Sequence, residues 1–397
     1  MKDISQRALN IADLREIARR NLPKGVFEFV DRGNEDEVGL RNNRAVFERI
    51  KLRPRRLVDV SARTQSTMLF GKELKIPIAI APTGSGGLMC YEGELAQARA
   101  AAAAGIPFSV ATGSMTGMER VVAEAGGRLW FQLYMWADRT LSHQLVKRAS
   151  DAGYEALVVT IDSAVASNRE YNVRNGYTVP FTFNARNTID VLMHPGWMFG
   201  VLGRYIVTTG MPRYENYPSA RKSRITAEPM DRTKLKNDSL NWEDLRTLRK
   251  LWPRTLIVKG ILCPEDALLA ADCGADAVVV SNHGGRNFDS YQAPIEVLPE
   301  VVDAVGKRLT VLVDSGFRRG TDIVKALAMG AAAVLVGRPT LYGTAAAGEA
   351  GARHAISILR KEIDRAMAHL GCNSVSELNR NHLRSPESFS WLNHPDR

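Results

Sequence analysis

From residue 76 onward, short apolar β-type runs alternate with helix-type stretches, and this rhythm constrains the fold more than any other feature of the chain. The runs are Ile76–Ala81, Phe108–Thr112, Leu129–Leu133, Ala156–Ile161, Leu256–Lys259, Ala277–Ser281, Thr310–Val313 and Ala333–Val336. Helical patterns separate them over Gly93–Ala104, Gly117–Ala125, Arg139–Ala152, Trp242–Leu251, Pro264–Cys273, Ile295–Val305 and Gly320–Ala328, and a long amphipathic stretch, Ala345–Leu370, follows the last run. Eight short strands, each followed by a helix, predict an α/β fold: a closed (β/α)8 TIM barrel. An open doubly wound sheet is the alternative; against it, no Gly-x-Gly-x-x-Gly opens the first strand–helix unit.

Two parts of the 397-residue chain fall outside the rhythm. Residues 1–75 carry helical patterns and a polar connection, Arg55–Gln65, and are expected to cap one end of a barrel spanning 76–370, within a single domain, 1–397. The other is an excursion between the fourth and fifth strands, residues 163–240. A connection this long in a compact barrel is a lid, a binding element or a mobile segment.

Composition narrows the classes of function. With 45% hydrophobic and 24% charged residues the chain has the makeup of a soluble globular protein with a sizeable core. It has no run of about 18 uncharged apolar residues, so a spanning helix is not expected, and Met1 to Arg20 lacks the apolar centre of a secretory signal. Cys90, Cys263, Cys273 and Cys372 lie far apart without a Cys-x-x-Cys pair, so neither disulfides nor a metal site is expected and a reducing cytoplasm fits. A net charge of +10 admits nucleic acid, an anionic membrane surface or acidic small ligands. The basic residues form no compact tract interleaved with aromatics, so nucleic acid is not an expected partner. Residues 185–236 alone hold nine Lys/Arg against four Asp/Glu, half of the excess charge.

Barrel enzymes assemble their sites at the carboxyl ends of the strands. The sixth run ends in Ser281-Asn-His-Gly-Gly-Arg286, which sets the His283 imidazole beside the Arg286 guanidinium, with two glycines letting backbone approach a ligand. Imidazole takes a proton near neutral pH and guanidinium grips a carboxylate through two parallel hydrogen bonds, so the pair suits proton abstraction from a small organic acid. The first run is followed by Ala81-Pro82-Thr83-Gly84-Ser85-Gly86-Gly87, where a planar ligand can lie against backbone. Gln132 and Tyr134 end the third run, Asp162 the fourth and Lys259 the fifth. Asp314-Ser-Gly-Phe-Arg-Arg-Gly320 and Val336-Gly-Arg-Pro339 put glycines and arginines after the seventh and eighth, the phosphate site common in such barrels. Singly, Asp162 reads equally as a helix cap, Lys259 as a solvated charge and Tyr134 as packing. Polar groups at six or more strand ends read as one shared ligand site. A phosphate at one end, with Lys259 placed to stabilise the anion of a reduced flavin, points to flavin mononucleotide (FMN).

These residues resemble a known family. Ser281–Arg286 and Asp314–Gly320 are similar to the signatures of the FMN-dependent L-2-hydroxy acid oxidising enzymes, over a likeness running from about Leu22 to Cys372. Ser315–Ala326, Thr340–Gly343, Asp162–Glu170 and His194–Trp197 resemble its mandelate-oxidising branch. The resemblance implies oxidation of a 2-hydroxy acid to the 2-oxo acid, with His283 as base, Asp162 holding its imidazolium, and Arg286 and Arg169 binding the substrate carboxylate. Tyr134 would hydrogen-bond the hydroxyl or carboxylate, and Lys259 would sit at the flavin N1/O2 edge. Gln132, Thr160 and Ser281, with backbone at Pro82, Thr83 and Gly84, would meet the isoalloxazine. Asp314 would take the ribityl hydroxyls, and Gly316, Arg318, Gly337 and Arg338 the phosphate.

The chain also departs from the family. Phe29 stands where a Tyr is usual, which removes one hydrogen bond to substrate; Asn287-Phe288 replaces the usual Gln-Leu, and Ala111 a common Ser. Gly113 falls where short-chain oxidisers carry Trp, which should admit a larger, aromatic or long-chain substrate.

Within the excursion, the apolar run Val191–Val207 is followed by Arg213, Arg221, Lys222 and Arg224, a composition that suits insertion into an anionic bilayer surface. A lid packed on its own barrel would read the same. Resemblance to the membrane-bound members implies peripheral attachment to the inner membrane, a quinone as electron acceptor, and a homotetramer. The alternatives are a soluble oxidase that makes hydrogen peroxide from oxygen, and a flavin barrel doing non-redox isomerisation.

Overall fold

A computed structural model describes residues 3–177, 184–217 and 238–384. The barrel strands are β1 (Ile78–Ile80), β2 (Phe108–Ala111), β3 (Leu129–Leu133), β4 (Ala156–Thr160), β5 (Thr255–Ile261), β6 (Ala277–Val280), β7 (Thr310–Val313) and β8 (Ala333–Val336). They pair in parallel in chain order, and β8 closes on β1 with Val334 opposite Ile78 and Val336 opposite Ile80. That closing pair excludes the open sheet. Every residue of β2, β3, β4, β6 and β8 is buried. Strands covered on one face by helices and on the other by the barrel interior have no face left for polar alternation.

The final helix departs from the sequence pattern. It starts at Arg338 rather than Ala345, with Pro339 in its first turn, and runs to Leu370 with a break at Ala347 and Gly348. Proline's fixed φ and missing N–H suit a first helical turn. A helix therefore leaves β8 at once and points its N-terminus back at the barrel mouth.

The amino-terminal segment does not cap one end alone; it serves both. Helix Lys24–Asp31 brings Phe29 and Val30 to a cavity at the carboxyl ends of the strands. The hairpin Thr67–Leu69/Lys72–Leu74 lies at the opposite end, where Arg128, one residue before β3, donates Nη2 to Leu69 O at 2.9 Å. The hairpin turns at Phe70 and Gly71, both at positive φ (53° and 71°), a two-residue geometry whose twist matches that of the strands.

The excursion contains the helices Ala185–Leu192, Pro195–Trp197 and Arg204–Thr208, with a π-helical turn over Met198–Gly203. One side packs on the barrel: Trp197 Nε1 donates to Leu88 O at 2.7 Å, and Tyr205 OH accepts from Glu92 N at 3.1 Å. The other side leaves Ile189, Leu192, Met193, Phe199, Ile206 and Val207 exposed, from 53 to 81%. Arg221, Lys222 and Arg224 lie outside the described residues. Among the described residues no helix is long and apolar enough to cross a membrane.

Candidate active site

A cavity of about 230 Å³ opens at the carboxyl ends of the strands. Its wall includes residues from the carboxyl-end turns of β1, β2, β3, β6, β7 and β8, Lys259 from within β5, Phe29 and Val30, and Arg169 of the excursion.

His283 sits in the left-handed region at φ 57°, and Gly284 and Gly285 follow at 70° and 71°. Three such residues in succession reverse the chain directly after β6, a conformation that costs a non-glycine residue energy and recurs at functional sites. The turn aims the imidazole across the mouth. Its Nδ1 meets Asp162 Oδ1 at 2.8 Å and its Nε2 lies 3.4 Å from Tyr134 OH. Burial alone would raise the Asp162 pKa, but His283 and Lys259 outweigh it and hold the carboxyl at about 2. Burial and the cations Lys259 and Arg169 lower the His283 pKa against the opposing pull of Asp162, so the imidazole is neutral at neutral pH with one nitrogen free to take a proton. Asp162 does not line the cavity; it stands behind the imidazole.

Lys259 is buried at the end of β5. Its Nζ donates to Ser281 Oγ at 2.7 Å and pairs with Asp314 Oδ2 at 3.0 Å. Burial opposes its charge, but Asp314 and Asp162 more than compensate and raise its pKa. Gln132 lines the cavity with its amide fixed: Nε2 donates to Thr160 Oγ1 at 3.0 Å and Oε1 accepts from Thr112 N at 3.2 Å. Two expected contacts are therefore displaced by one layer. Thr160 and Ser281 do not reach the wall; they hold Gln132 and Lys259, which do. Pro82, Thr83 and Gly84 line the cavity beside Ala111 and Gly113.

Asp314, Gly316, Arg318, Gly337 and Arg338 form the opposite end. Gly316 has φ 84°, and a Cβ there would lie 2.1 Å from Asn43 O, so only glycine fits. Gly337 caps the N-terminus of helix Arg338–Leu370, which directs unpaired N–H groups and a positive dipole end into the cavity.

Four guanidinium groups reach this wall, and their partners decide what the cavity can hold. Arg286 Nη1 donates to Phe29 O at 2.5 Å and Arg32 O at 3.1 Å; Arg338 donates to Val30 O, Gly284 O and Arg32 O at 2.8 to 3.1 Å. Arg318 Nη1 donates to Phe317 O at 2.9 Å, and Arg169 Nε to Arg286 O at 3.1 Å. Among the described residues none of the four has a carboxylate within ion-pair distance. Burial pulls all four pKa values down, Arg286 to about 10. Arg338 is buried and the other three are half-buried; cations held at a cavity wall without a carboxylate partner call for anions. Five cationic side chains (these four and Lys259) face one lining carboxylate, Asp314. A phosphate at the Arg318/Gly337 end and a carboxylate at the Arg286/Arg169 end would offset most of this excess. That donor set, with a backbone-lined floor between the two ends, fits FMN and a small acid together.

Two wall residues, Ser315 and Val30, carried no sequence signal of their own. Ser315, at φ 77°, donates Oγ to Asp314 Oδ1 at 2.8 Å and accepts from Gly284 N at 2.9 Å, tying the β6 and β7 turns. Val30 arrives from a helix more than forty residues before β1, and no periodicity reports such a placement. Phe29, which lacks the hydroxyl usual at its position, lies under Arg286, whose guanidinium carbon is 5.1 Å from its ring centre, and packs at a 41° tilt against Tyr177, 5.0 Å between ring centres.

The sequence of residues 18–385 matches the family model described as FMN-dependent dehydrogenase. Curated relatives include (S)-mandelate dehydrogenase of Pseudomonas putida, 42% identical over 96% of this chain and 95% of that protein. An L-lactate oxidase of Nostoc sp. is 42% identical over 94% of this chain and 98% of its own. Among solved structures, that of the monotopic membrane protein (S)-mandelate dehydrogenase superposes with a TM-score of 0.90 at 42% identity, over 96% of this chain and 100% of that one. A mandelate oxidase with (S)-2-phenylpropionate gives 0.79 at 36% identity, over 96% and 98%.

Proposed function

The chain belongs to the FMN-dependent dehydrogenase family, whose members act as (S)-2-hydroxy acid dehydrogenases and oxidases, and on that footing we propose that it oxidises a 2-hydroxy acid with a bulky, mandelate-like side group to the 2-oxo acid. The observation that carries this reading is the placement of His283 between Asp162 and Tyr134, beside two guanidinium groups that lack carboxylate partners. The substrate carboxylate sits between Arg286 and Arg169. His283 Nε2 takes the hydroxyl proton, and the imidazolium so formed is held by the ionised Asp162. Tyr134 OH, next to Nε2, orients the hydroxyl. When bound, FMN supplies the two-electron acceptor for this oxidation. Lys259 places a fixed positive charge at the cavity, and the buried wall keeps water from competing for the proton.

The substrate side group is read from Gly113. A Cβ built there meets only Gly84 Cα at 3.8 Å, so the wall is open on that side. The exposed apolar side of the excursion supports attachment to a membrane surface, and a membrane quinone then serves as electron acceptor. The experiment is anaerobic addition of glycolate, L-lactate, (S)-mandelate and a long-chain 2-hydroxy acid to the FMN-loaded protein. Bleaching of the flavin by mandelate ahead of glycolate supports the reading, and no bleaching by any of them rejects it. Rapid peroxide formation in air would favour the oxidase over the quinone-linked enzyme.

A further inference from the structure

We propose that Asn287 is a positioning residue that couples the His283–Asp162 pair to the Arg169 guanidinium through a single carboxamide. The inference rests on the reading of the site given above. Asn287 follows the β6 turn, and its side chain crosses to the turn after β4. There the two hydrogens on Nδ2 are shared among Asp162 O and Ser163 Oγ, each at 2.9 Å, and Asp162 Oδ1 at 3.1 Å. On its other side, Oδ1 accepts from Arg169 Nη2 at 3.4 Å.

The chemistry of the neighbours explains why an amide serves here. Asp162 offers only acceptors and Arg169 only donors. A neutral group touching both must present N–H on one side and an oxygen on the other. A carboxylate would repel Asp162 and capture Arg169, and a hydrocarbon would take one partner from each.

Asp162 Oδ2 is buried with no hydrogen-bond partner among the described residues, and the polar contacts converge on Oδ1: His283 Nδ1 at 2.8 Å, Ser163 Oγ at 3.0 Å and Asn287 Nδ2 at 3.1 Å. The direction in which the carboxylate faces the base is therefore fixed by Ser163 and Asn287. The same amide steadies the guanidinium that would hold the substrate carboxylate. Base and substrate anchor are thereby held in register by one side chain.

The sign of the expected pH effect follows from the groups that face His283, namely Asp162, Lys259, Arg169 and Tyr134. Removing the amide donor leaves the Oδ1 charge less shared, so it holds the imidazole proton more tightly. The base must be neutral to act, and the acid limb of kcat/KM moves to higher pH.

The test uses the FMN-loaded wild type and N287L, N287D and N287Q. Three readouts are compared: anaerobic flavin reduction as a function of pH, KM for the hydroxy acid, and Kd for the 2-oxo acid product from its perturbation of the flavin spectrum without turnover. N287L is expected to lose about tenfold or more in kcat/KM and to shift the acid limb upward. N287D should shift it further and raise the product Kd about tenfold by drawing Arg169 away. N287Q, which keeps both polarities, should recover part of each loss. Unchanged acid limb, KM and product Kd in N287L and N287D overturn the proposal; should N287L fail to retain FMN, the same comparison of N287D and N287Q with wild type decides it. A wild type that no 2-hydroxy acid bleaches rejects the reading of the site itself, whereas a bleached wild type with indistinguishable variants rejects only the role of Asn287.

Discussion

Asp162 Oδ1 and His283 Nδ1 lie 2.8 Å apart although 121 residues separate them in the chain. The contact forms because β4 and β6 flank β5 in the barrel and their carboxyl-end turns lean over it. It fixes which imidazole nitrogen faces the cavity and supplies the negative charge that an imidazolium there needs.

His283→Gln, which removes the base while nearly keeping volume, is expected to lower the rate of anaerobic flavin reduction by about 10²- to 10⁴-fold with FMN content unchanged. Because burial and nearby cations lower the His283 pKa, the wild-type kcat/KM should hold its plateau at neutral pH. It should fall only below the ordinary histidine range, as the base becomes protonated. Stopped-flow absorbance across pH checks both outcomes.

Arg318 is half-buried at the end of the cavity capped by the helix N-terminus, and among the described residues its guanidinium donates only to its neighbour's carbonyl. Arg318→Ala removes a charge that the phosphate would otherwise meet. FMN affinity, measured by fluorescence quenching on titration into stripped protein, is expected to weaken by about 10- to 100-fold. Retention of wild-type affinity would place the phosphate elsewhere.

Gly113→Trp would put an indole into the open part of the wall, where a Cβ meets nothing closer than 3.8 Å. The variant should keep its flavin and its activity on glycolate or L-lactate. It should lose about tenfold or more on (S)-mandelate, because overfilling a packed pocket is costly. Ratios of kcat/KM across the three acids measure the shift.

Phe199 and Val207 are 71% and 81% exposed on the outer side of the excursion. The double substitution Phe199→Asp, Val207→Asp is expected to abolish co-sedimentation with vesicles rich in phosphatidylglycerol while leaving flavin reduction by a soluble assay unchanged. Equal sedimentation of variant and wild type would remove this surface from membrane attachment.

The sequence by itself determined the barrel and which strand ends line the cavity at its mouth. Helices Gly93–Ala104, Trp242–Leu251 and Gly320–Ala328 begin and end where the pattern places them, as do strands β3, β7 and β8. Strands buried on both faces must be apolar throughout, and breaks in that run mark their ends. Groups at those ends then share one site by topology alone, which is why His283, Lys259, Asp314 and Arg338 could be named from position. The tertiary structure decided what depends on long-range approach. Phe29 and Val30 reach the mouth because a helix outside the rhythm lies across it, and its carbonyls orient Arg286 and Arg338. Thr160 and Ser281 fall one layer behind the wall because the direction of a side chain at a strand end depends on where the turn begins. The excursion packs on the barrel with one side and exposes an apolar surface with the other, a division that composition cannot make because both sides draw on the same residue types. Periodicity is a local property of a chain, whereas the facing of two loops 121 residues apart is set by closure of the whole barrel.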